Sequence, residues 1–339
     1  LGFPQGLCRI LRREHEMCGC TASIKADLEA VEEILRRQAL SSSSKTASEV
    51  CEHVRKAGGK RLRPKLVLLS ARALGCTGDD PIWAAAAVEM VHTATLLHDD
   101  VVDGAKSRRG RQTASALWGP VAAVMSGNIL LAKSFGMLVE RGQVEFLRRL
   151  SEAAVTMCHG ELAQNAQRGN LGMDISTYTK IIEQKTADFM SACCEAGAIL
   201  AKKPLLRGNL GSYGLFLGIA FQMIDDLLDY TGDAAVTGKP IGGDLREGKV
   251  TLPLIKALEL SNSKSRDRLI QLASLGNALS DEQAMEVASI VVSSGAAEAV
   301  RKEANSYAEK AVDAVLCLPP SPERETLIEI AKNLSRRTF

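Results

Sequence analysis

The stretch Leu96-Leu97-His98-Asp99-Asp100-Val101-Val102-Asp103 sets three carboxylates at the end of an apolar, alanine-rich run that begins at Pro81. On a helix, Asp99 and Asp103 share one face. Like charges so placed repel, so a helix that keeps them presents them to a cation. Aspartate oxygens without thiolates or clustered imidazoles suit a hard ion, and Mg²⁺ takes one or two carboxylates and completes its shell with water and substrate phosphates. A second stretch of the same form, Asp225-Asp226-Leu227-Leu228-Asp229, follows another long uncharged run. One such motif is common on surface helices, whereas two in this setting point to a site.

Cations accompany them. Lys60-Arg61-Leu62-Arg63 is packed between Gly58-Gly59 and Pro64, Arg108-Arg109 follows the first acidic run, Lys185-Thr186 sits among Ile181, Ile182, Phe189 and Met190, and Lys239 lies in a glycine-rich loop. His92 precedes Asp99 by two helical turns, on about the same face. Such cations suit diphosphate, although Lys185 could equally snorkel outward, His92 could be an ordinary helical residue and the Lys60 cluster a solvated loop. No nucleophile triad, HExxH or dinucleotide loop is present, and Gly232 to Lys239 fails as a P-loop because Pro240 stands where Ser or Thr is needed. Mg²⁺ bridging carboxylates to a diphosphate, over an apolar cavity, would let an allylic diphosphate ionise to a carbocation away from water.

The elements that must position these groups are helices. Period-two alternation is absent, and apolar residues recur at helical spacing from Ala22 to Gln38. Thr46 with Glu49 predicts a capping box, ending at Gly58-Gly59, and Asp80-Pro81 predicts an N-cap for a helix running to Asp103. Further helices are expected over 112–142, 145–169, 176–203 and 208–229, then past Thr251, with Ser280 and Gln283 as a capping box and Ser321-Pro322 as a start. The uncharged runs 112–132 and 208–224 read as buried helices of a large soluble bundle rather than membrane spans.

Of 339 residues, 42 are basic and 40 acidic, which argues against a nucleic-acid footprint, and aromatics are only 4%, so small and aliphatic side chains build the core. Nine cysteines, an odd number without zinc spacing, suit reduced thiols in a reducing compartment, hence a cytoplasmic protein. Arg9, Arg12 and Arg13 leave organellar import as a weaker alternative. Residues 1–21 are expected to be a poorly ordered extension ahead of a single domain at 22–339.

From about Ala22 onward the chain resembles the trans-isoprenyl diphosphate synthases, through GGKRLRP, EMVHTATLLHDDVVD, RRG, KTA and GIAFQMIDDLLDYTGDAAVTGKPIGGDLREGKVTLP. The resemblance implies an all-α isoprenoid synthase fold, a single large helical bundle around a central apolar cavity, and a homodimer. It implies that Asp99, Asp103 and Asp225 hold Mg²⁺, about three ions with bound diphosphate. Asp100, Asp226 and Asp229 would support them. Arg108, Lys185 and Lys239 would contact the allylic diphosphate, and Lys60, Arg63, His92 and Arg109 the isopentenyl diphosphate. Thr186, Phe221 and Gln222 would border the cation, and departing diphosphate would take the final proton. One departure is Gly127-Asn128, where relatives generally carry Gly-Asp.

The implied activity is condensation of an allylic diphosphate with successive isopentenyl diphosphates to a long all-trans chain, with no nucleic-acid partner and no transmembrane segment, though the product could bring loose membrane association. A short-chain farnesyl or geranylgeranyl synthase and a non-catalytic partner subunit are the alternatives, although such partners typically lose the aspartates. A class I terpene cyclase would lack GGKRLRP and RRG, and a metal-storage bundle would not need the arginine pairs. Ala94 and Thr95 are small where short-chain relatives carry an aromatic, and Val91, Met90 and Ala87 continue below them without an aromatic wall. Small residues there could merely allow close helix packing, but the local motif is most similar to long-chain, octaprenyl- or solanesyl-type members. That resemblance implies a product well beyond C20, roughly C30 to C50, running along a helix that rises about 1.5 Å per residue.

Overall fold

The computed structural model describes residues 22–108, 110–232 and 241–334. The expected extension at 1–21, with Arg109 and Lys239, lies outside the described residues. Helix α1 (Ala22–Leu40) turns Ile24, Val31 and Leu35 inward and pairs Glu33 with Arg36 and Arg37 outside. Helix α2 (Lys45–Lys56) is capped by Ser44, whose hydroxyl accepts from Ala47 N at 3.3 Å, so the predicted Thr46 cap is displaced by two residues. Then come α3 (Leu62–Ala73) and α4 (Asp80–Val102), whose middle, Ala84 to Val91, is wholly enclosed. Asp79, not Asp80, occupies the N-cap position of α4, and neither caps it. Arg141 competes for both carboxylates, binding Asp80 at 2.8 Å and pairing with Asp79.

A two-residue ladder, β1 (Ser107–Arg108) with β2 (Arg111–Gln112), is the one strand pairing among the described residues. It turns the chain into α5 (Ala114–Trp118). Gly119, at φ +83°, and Pro120 then break what one helix was expected to span, and α6 (Pro120–Glu140) restarts in a new direction. α7 (Val144–Ala166) follows, then α8 (Ile175–Ile182), a π-helical turn (Glu183–Ala187) and α9 (Asp188–Leu200) where an uninterrupted helix was expected. α10 (Arg207–Thr231) carries the second acidic motif. The remainder is α11 (Gly243–Arg246), α12 (Leu252–Leu260), α13 (Ser263–Ala273), α14 (Asp281–Ser293), α15 (Ala296–Val315) and α16 (Pro322–Leu334), with the Ser280–Gln283 capping box present as predicted.

The core is one continuous apolar cluster. α10 packs on α9 and α15, α4 packs on α6 and α3, and α9 packs on α3, α10 and, more lightly, α4. The two acidic helices thus stand apart, bridged by α9. Contact between α9 and α10 is close because glycines remove side chains at the seam. A Cβ on Gly214 would come within 2.7 Å of Ser191 Cα. α6 departs from the expected buried helix, since a lengthwise stripe of Val121, Met125, Asn128, Ala132, Gly136 and Val139 is exposed and uncharged. Among the described residues α6 is the one helix long and apolar enough to cross a membrane.

Candidate active site

The C-terminal turn of α4 gives its three aspartates different surroundings. Asp99 is half-buried, and among the described residues no side chain pairs with or hydrogen-bonds to its carboxylate. Burial pushes it up to about 6, with the nearby charge of Lys185 pulling back and Glu161 adding to the rise. Asp100 points inward and accepts from Arg108 Nε at 2.7 Å. Asp103, the C-cap residue, accepts from Arg168 at 2.8 Å and from Lys249 at 3.4 Å.

The second motif repeats the pattern with its neighbours inside the protein. Asp225 is exposed and has no pairing side chain among the described residues. Asp226 is buried and accepts from the Tyr178 hydroxyl at 2.7 Å and from Gln222 Nε2 at 2.8 Å. Burial raises its pKa, while the Gln222 and Tyr178 hydrogen bonds oppose the rise. Asp229 accepts the backbone N–H groups of Gly243 and Asp244 at 3.1 and 3.0 Å, tying α11 to the end of α10. Each motif therefore leaves one carboxylate uncommitted and uses its neighbours as struts.

Lys185 and Thr186 lie in the π-helical turn. An additional residue in a turn swings the following side chains by about 100° relative to a regular helix, and such turns concentrate at functional sites. Lys185 Nζ reaches Glu161 at 2.5 Å and Gln164 at 2.7 Å, both on α7. Its charge acts on both Asp99 and Asp226, so it lies within electrostatic reach of both acidic motifs. Thr186 Oγ1 donates to Gln222 Oε1 at 2.8 Å, which completes a chain from the turn through Gln222 to Asp226. Phe221, beside Gln222, is half-buried. The turn can sit against α7 because position 160 is glycine, where a Cβ would meet Lys185 N at 2.5 Å.

Of the other cations, Arg63 Nη1 lies 3.4 Å from His92 Nε2, and its guanidinium stands 5.7 Å from the centre of the Phe189 ring. Its Nε is enclosed without a hydrogen-bond partner, and among the described residues no carboxylate comes within ion-pair distance. Burial lowers its pKa, opposed by the charges of Glu89 and Asp225 among others. Lys60 is exposed at the start of the same loop. An enclosed guanidinium without an anion is costly, and an entering phosphate would relieve it.

Among the described residues no three acidic, imidazole or thiol groups converge on one point, so the protein alone does not form a closed metal cage. Two uncommitted, hard carboxylates on separate helices fit the other kind of site, in which substrate phosphates and water supply the remaining oxygens, as Mg²⁺ prefers.

The helix wall below Asp99 differs from the expected one. At about 100° per residue, Thr95 and His92 share the Asp99 face, while Met90 lies on the opposite side. Met90 lines a small space with Leu35, Ala39, Cys51 and Leu130, so it is not on the wall that a tail anchored at Asp99 would follow. Val91 and Ala94 lie between these directions and are fully enclosed, and Thr95 is half-buried with its hydroxyl donating to His92 O.

Sequence reasoning assigned no role to Glu161 and Gln164, nor to Arg168, Lys249 and Tyr178. Glu161 and Gln164, one turn apart beside Gly160, were the legible ones, because a glycine flanked by polar residues inside a helix marks a close approach.

This arrangement defines an all-helical enzyme site for diphosphate chemistry, with paired acids and cations on opposed helices. The chain belongs to the polyprenyl synthetase family, whose pattern matches residues 44–291. It is 38% identical to the all-trans-nonaprenyl-diphosphate synthase (geranyl-diphosphate specific) of Rhodobacter capsulatus over 92% of this chain and 95% of that protein. It is 37% identical to the octaprenyl diphosphate synthase of Escherichia coli, over 86% and 90% of the two chains. The crystal structure of the Caulobacter crescentus polyprenyl synthase, complexed with calcium and isoprenyl diphosphate, superposes with a TM-score of 0.87 at 36% identity, covering 92% of this chain and 95% of that one.

Proposed function

We propose that this prenyltransferase condenses an allylic diphosphate with successive isopentenyl diphosphates into a long all-trans polyprenyl diphosphate. The observation that carries the proposal is the pair of acidic motifs, each with one uncommitted carboxylate, with the Lys185–Thr186 turn tied to the second through Gln222. Asp99, Asp103 and Asp225 would hold Mg²⁺, which when bound would stabilise negative charge on the allylic diphosphate. Arg108 and Lys185 would exchange Asp100 and Glu161 for that diphosphate, and Lys239 would join them. Lys60, Arg63, His92 and Arg109 would orient isopentenyl diphosphate. Loss of the allylic diphosphate leaves a cation beside Gln222 Oε1 and Thr186 Oγ1, whose oxygens offer negative dipole ends, and beside the face of Phe221. The isopentenyl double bond attacks that cation, forming the new carbon–carbon bond, and the departing diphosphate takes the released proton.

The long product is supported by the nonaprenyl and octaprenyl relatives and by the small residues Ala94 and Thr95. A homodimer is supported by the uncharged exposed stripe of α6, continued on α7 by exposed Val155 and Leu162. A cytoplasmic location is part of the same proposal, supported by the free cysteines. The test is incubation of the purified protein with Mg²⁺, an allylic diphosphate and excess isopentenyl diphosphate, followed by mass analysis. Dominant C15 or C20 product would refute the long-chain assignment, and absence of product would refute the activity.

A further inference from the structure

Arg61, between Lys60 and Leu62, is left over by the catalytic assignment. Its backbone is left-handed (φ +48°, ψ +37°), a conformation that a side chain with a Cβ rarely adopts. The side chain is only 16% exposed, its Nη1 donating to Glu89 Oε1 at 2.5 Å and its Nε to Glu32 Oε1 at 2.5 Å. Glu89 itself is 6% exposed, on α4, and Glu32 on α1 is also within 3.7 Å of Arg55. Glu89 precedes His92 by about one turn, and His92 is the residue that Arg63 touches. One strained residue, the N-cap of α3, thus fastens Lys60 before it and Arg63 in the first turn of α3 to two other helices, about one turn from the point where Arg63 meets the site wall.

The arrangement also answers an electrostatic problem. Lys60, Arg61 and Arg63 crowd three positive charges into four residues. The Glu89 carboxylate, enclosed and facing Arg61, acts on Arg63 as well. A plain structural staple would not need its buried acid one turn from His92, the residue that Arg63 touches. Nor would it need a backbone conformation that glycine would adopt at lower cost.

We propose that Arg61 is a positioning residue for isopentenyl diphosphate: its left-handed backbone and its ion pairs with Glu89 and Glu32 fix Lys60 and Arg63 against α4 without touching substrate. This rests on the assignment of Lys60 and Arg63 to that substrate. Misplacing binding groups by about 1 Å costs on the order of a hundredfold at the extreme, so the effect is readable in steady-state kinetics.

The test uses the full chain with Mg²⁺, comparing Arg61→Gly, Arg61→Lys and the double variant Arg61→Gly/Glu89→Gln, which leaves no unpaired buried carboxylate. Circular dichroism and thermal unfolding check the fold. Arg61→Gly and the double variant are expected to raise KM for isopentenyl diphosphate by on the order of tenfold or more. KM for the allylic substrate should stay within about twofold, and Arg61→Lys should recover part of the loss. Wild-type KM in Arg61→Gly, or equal rises for both substrates, overturns the inference, as does a lower unfolding temperature with unchanged KM in the folded variants. Lys60→Ala and Arg63→Ala run alongside. If neither moves KM for isopentenyl diphosphate, the substrate assignment fails and the inference with it. If both do and the Arg61 variants do not, the positioning role alone is overturned.

Discussion

Replacing Asp99 with asparagine separates stability from function at one atom pair. The carboxylate is half-buried without a pairing side chain among the described residues, and burial lifts its pKa from the usual 3.8 to about 6. That displacement corresponds to about 3 kcal/mol by which ionisation opposes the fold. Partial exposure and screening reduce the realised value to about 1–2 kcal/mol. The sign follows from linkage. Because the folded pKa is the higher one, the proton stabilises the fold fully below pH 3.8, and that stability is lost as pH rises through about 6. Asparagine is isosteric with aspartate and stays uncharged, so in EDTA at pH 8 Asp99→Asn should unfold higher than wild type, by about 1.5–3 °C for a chain of this size. The gain should shrink towards zero at pH 4. The same variant should lose several kcal/mol of transition-state stabilisation with Mg²⁺. Equal unfolding temperatures at pH 8, or a gain that persists undiminished at pH 4, would refute the account of an uncompensated carboxylate.

Other outcomes can be stated briefly. Gly160→Ala should lower kcat at least tenfold, since its Cβ would meet Lys185 N at 2.5 Å and force the π-helical turn off α7; single-turnover kinetics measure it. Lys185→Ala should raise KM for the allylic substrate more than for isopentenyl diphosphate, and Arg63→Ala the reverse. Ala94→Phe should shorten the product while condensation persists, read by mass spectrometry. Met125→Glu should shift the protein towards monomer in analytical ultracentrifugation, because a charge enters the exposed apolar stripe of α6.

How far the site could be read in advance depended on whether a residue's task is set locally. The aspartates were legible because their identity and spacing already state a repulsion that needs an answer. Arg63 and His92, which the structure brings to 3.4 Å, could be associated only through the resemblance, and Arg63 stands in the first turn of α3 rather than in the loop expected before Pro64. The π-helical turn could not be, because 183–187 carries ordinary helix formers and its irregularity comes from packing against Gly160. Counting distance along α4 without the rotation that accompanies it misplaces Met90. The N-terminal cap of α4 failed for a related reason: Asp79 and Asp80 have a distant competitor in Arg141, which lies beyond any local window. The exposed face of α6 was hidden by its composition, since a helix covered by protein and one awaiting a partner share the same apolar residues.

On the proposed assignment, the internal ion pairs around the site would make it an ion exchanger. Arg108 is held by Asp100, Lys185 by Glu161, and Asp103 by Arg168 and Lys249. A diphosphate arriving at Arg108 or Lys185 would, on that assignment, displace Asp100 or Glu161, and that carboxylate would return as the diphosphate departs. Net affinity would then be a small difference between two large attractions, which would keep spent diphosphate from poisoning the site. A catalyst that must expel diphosphate after each addition while retaining a growing chain gains turnover from that balance, since the resident acids drive release as readily as the free cations drive capture.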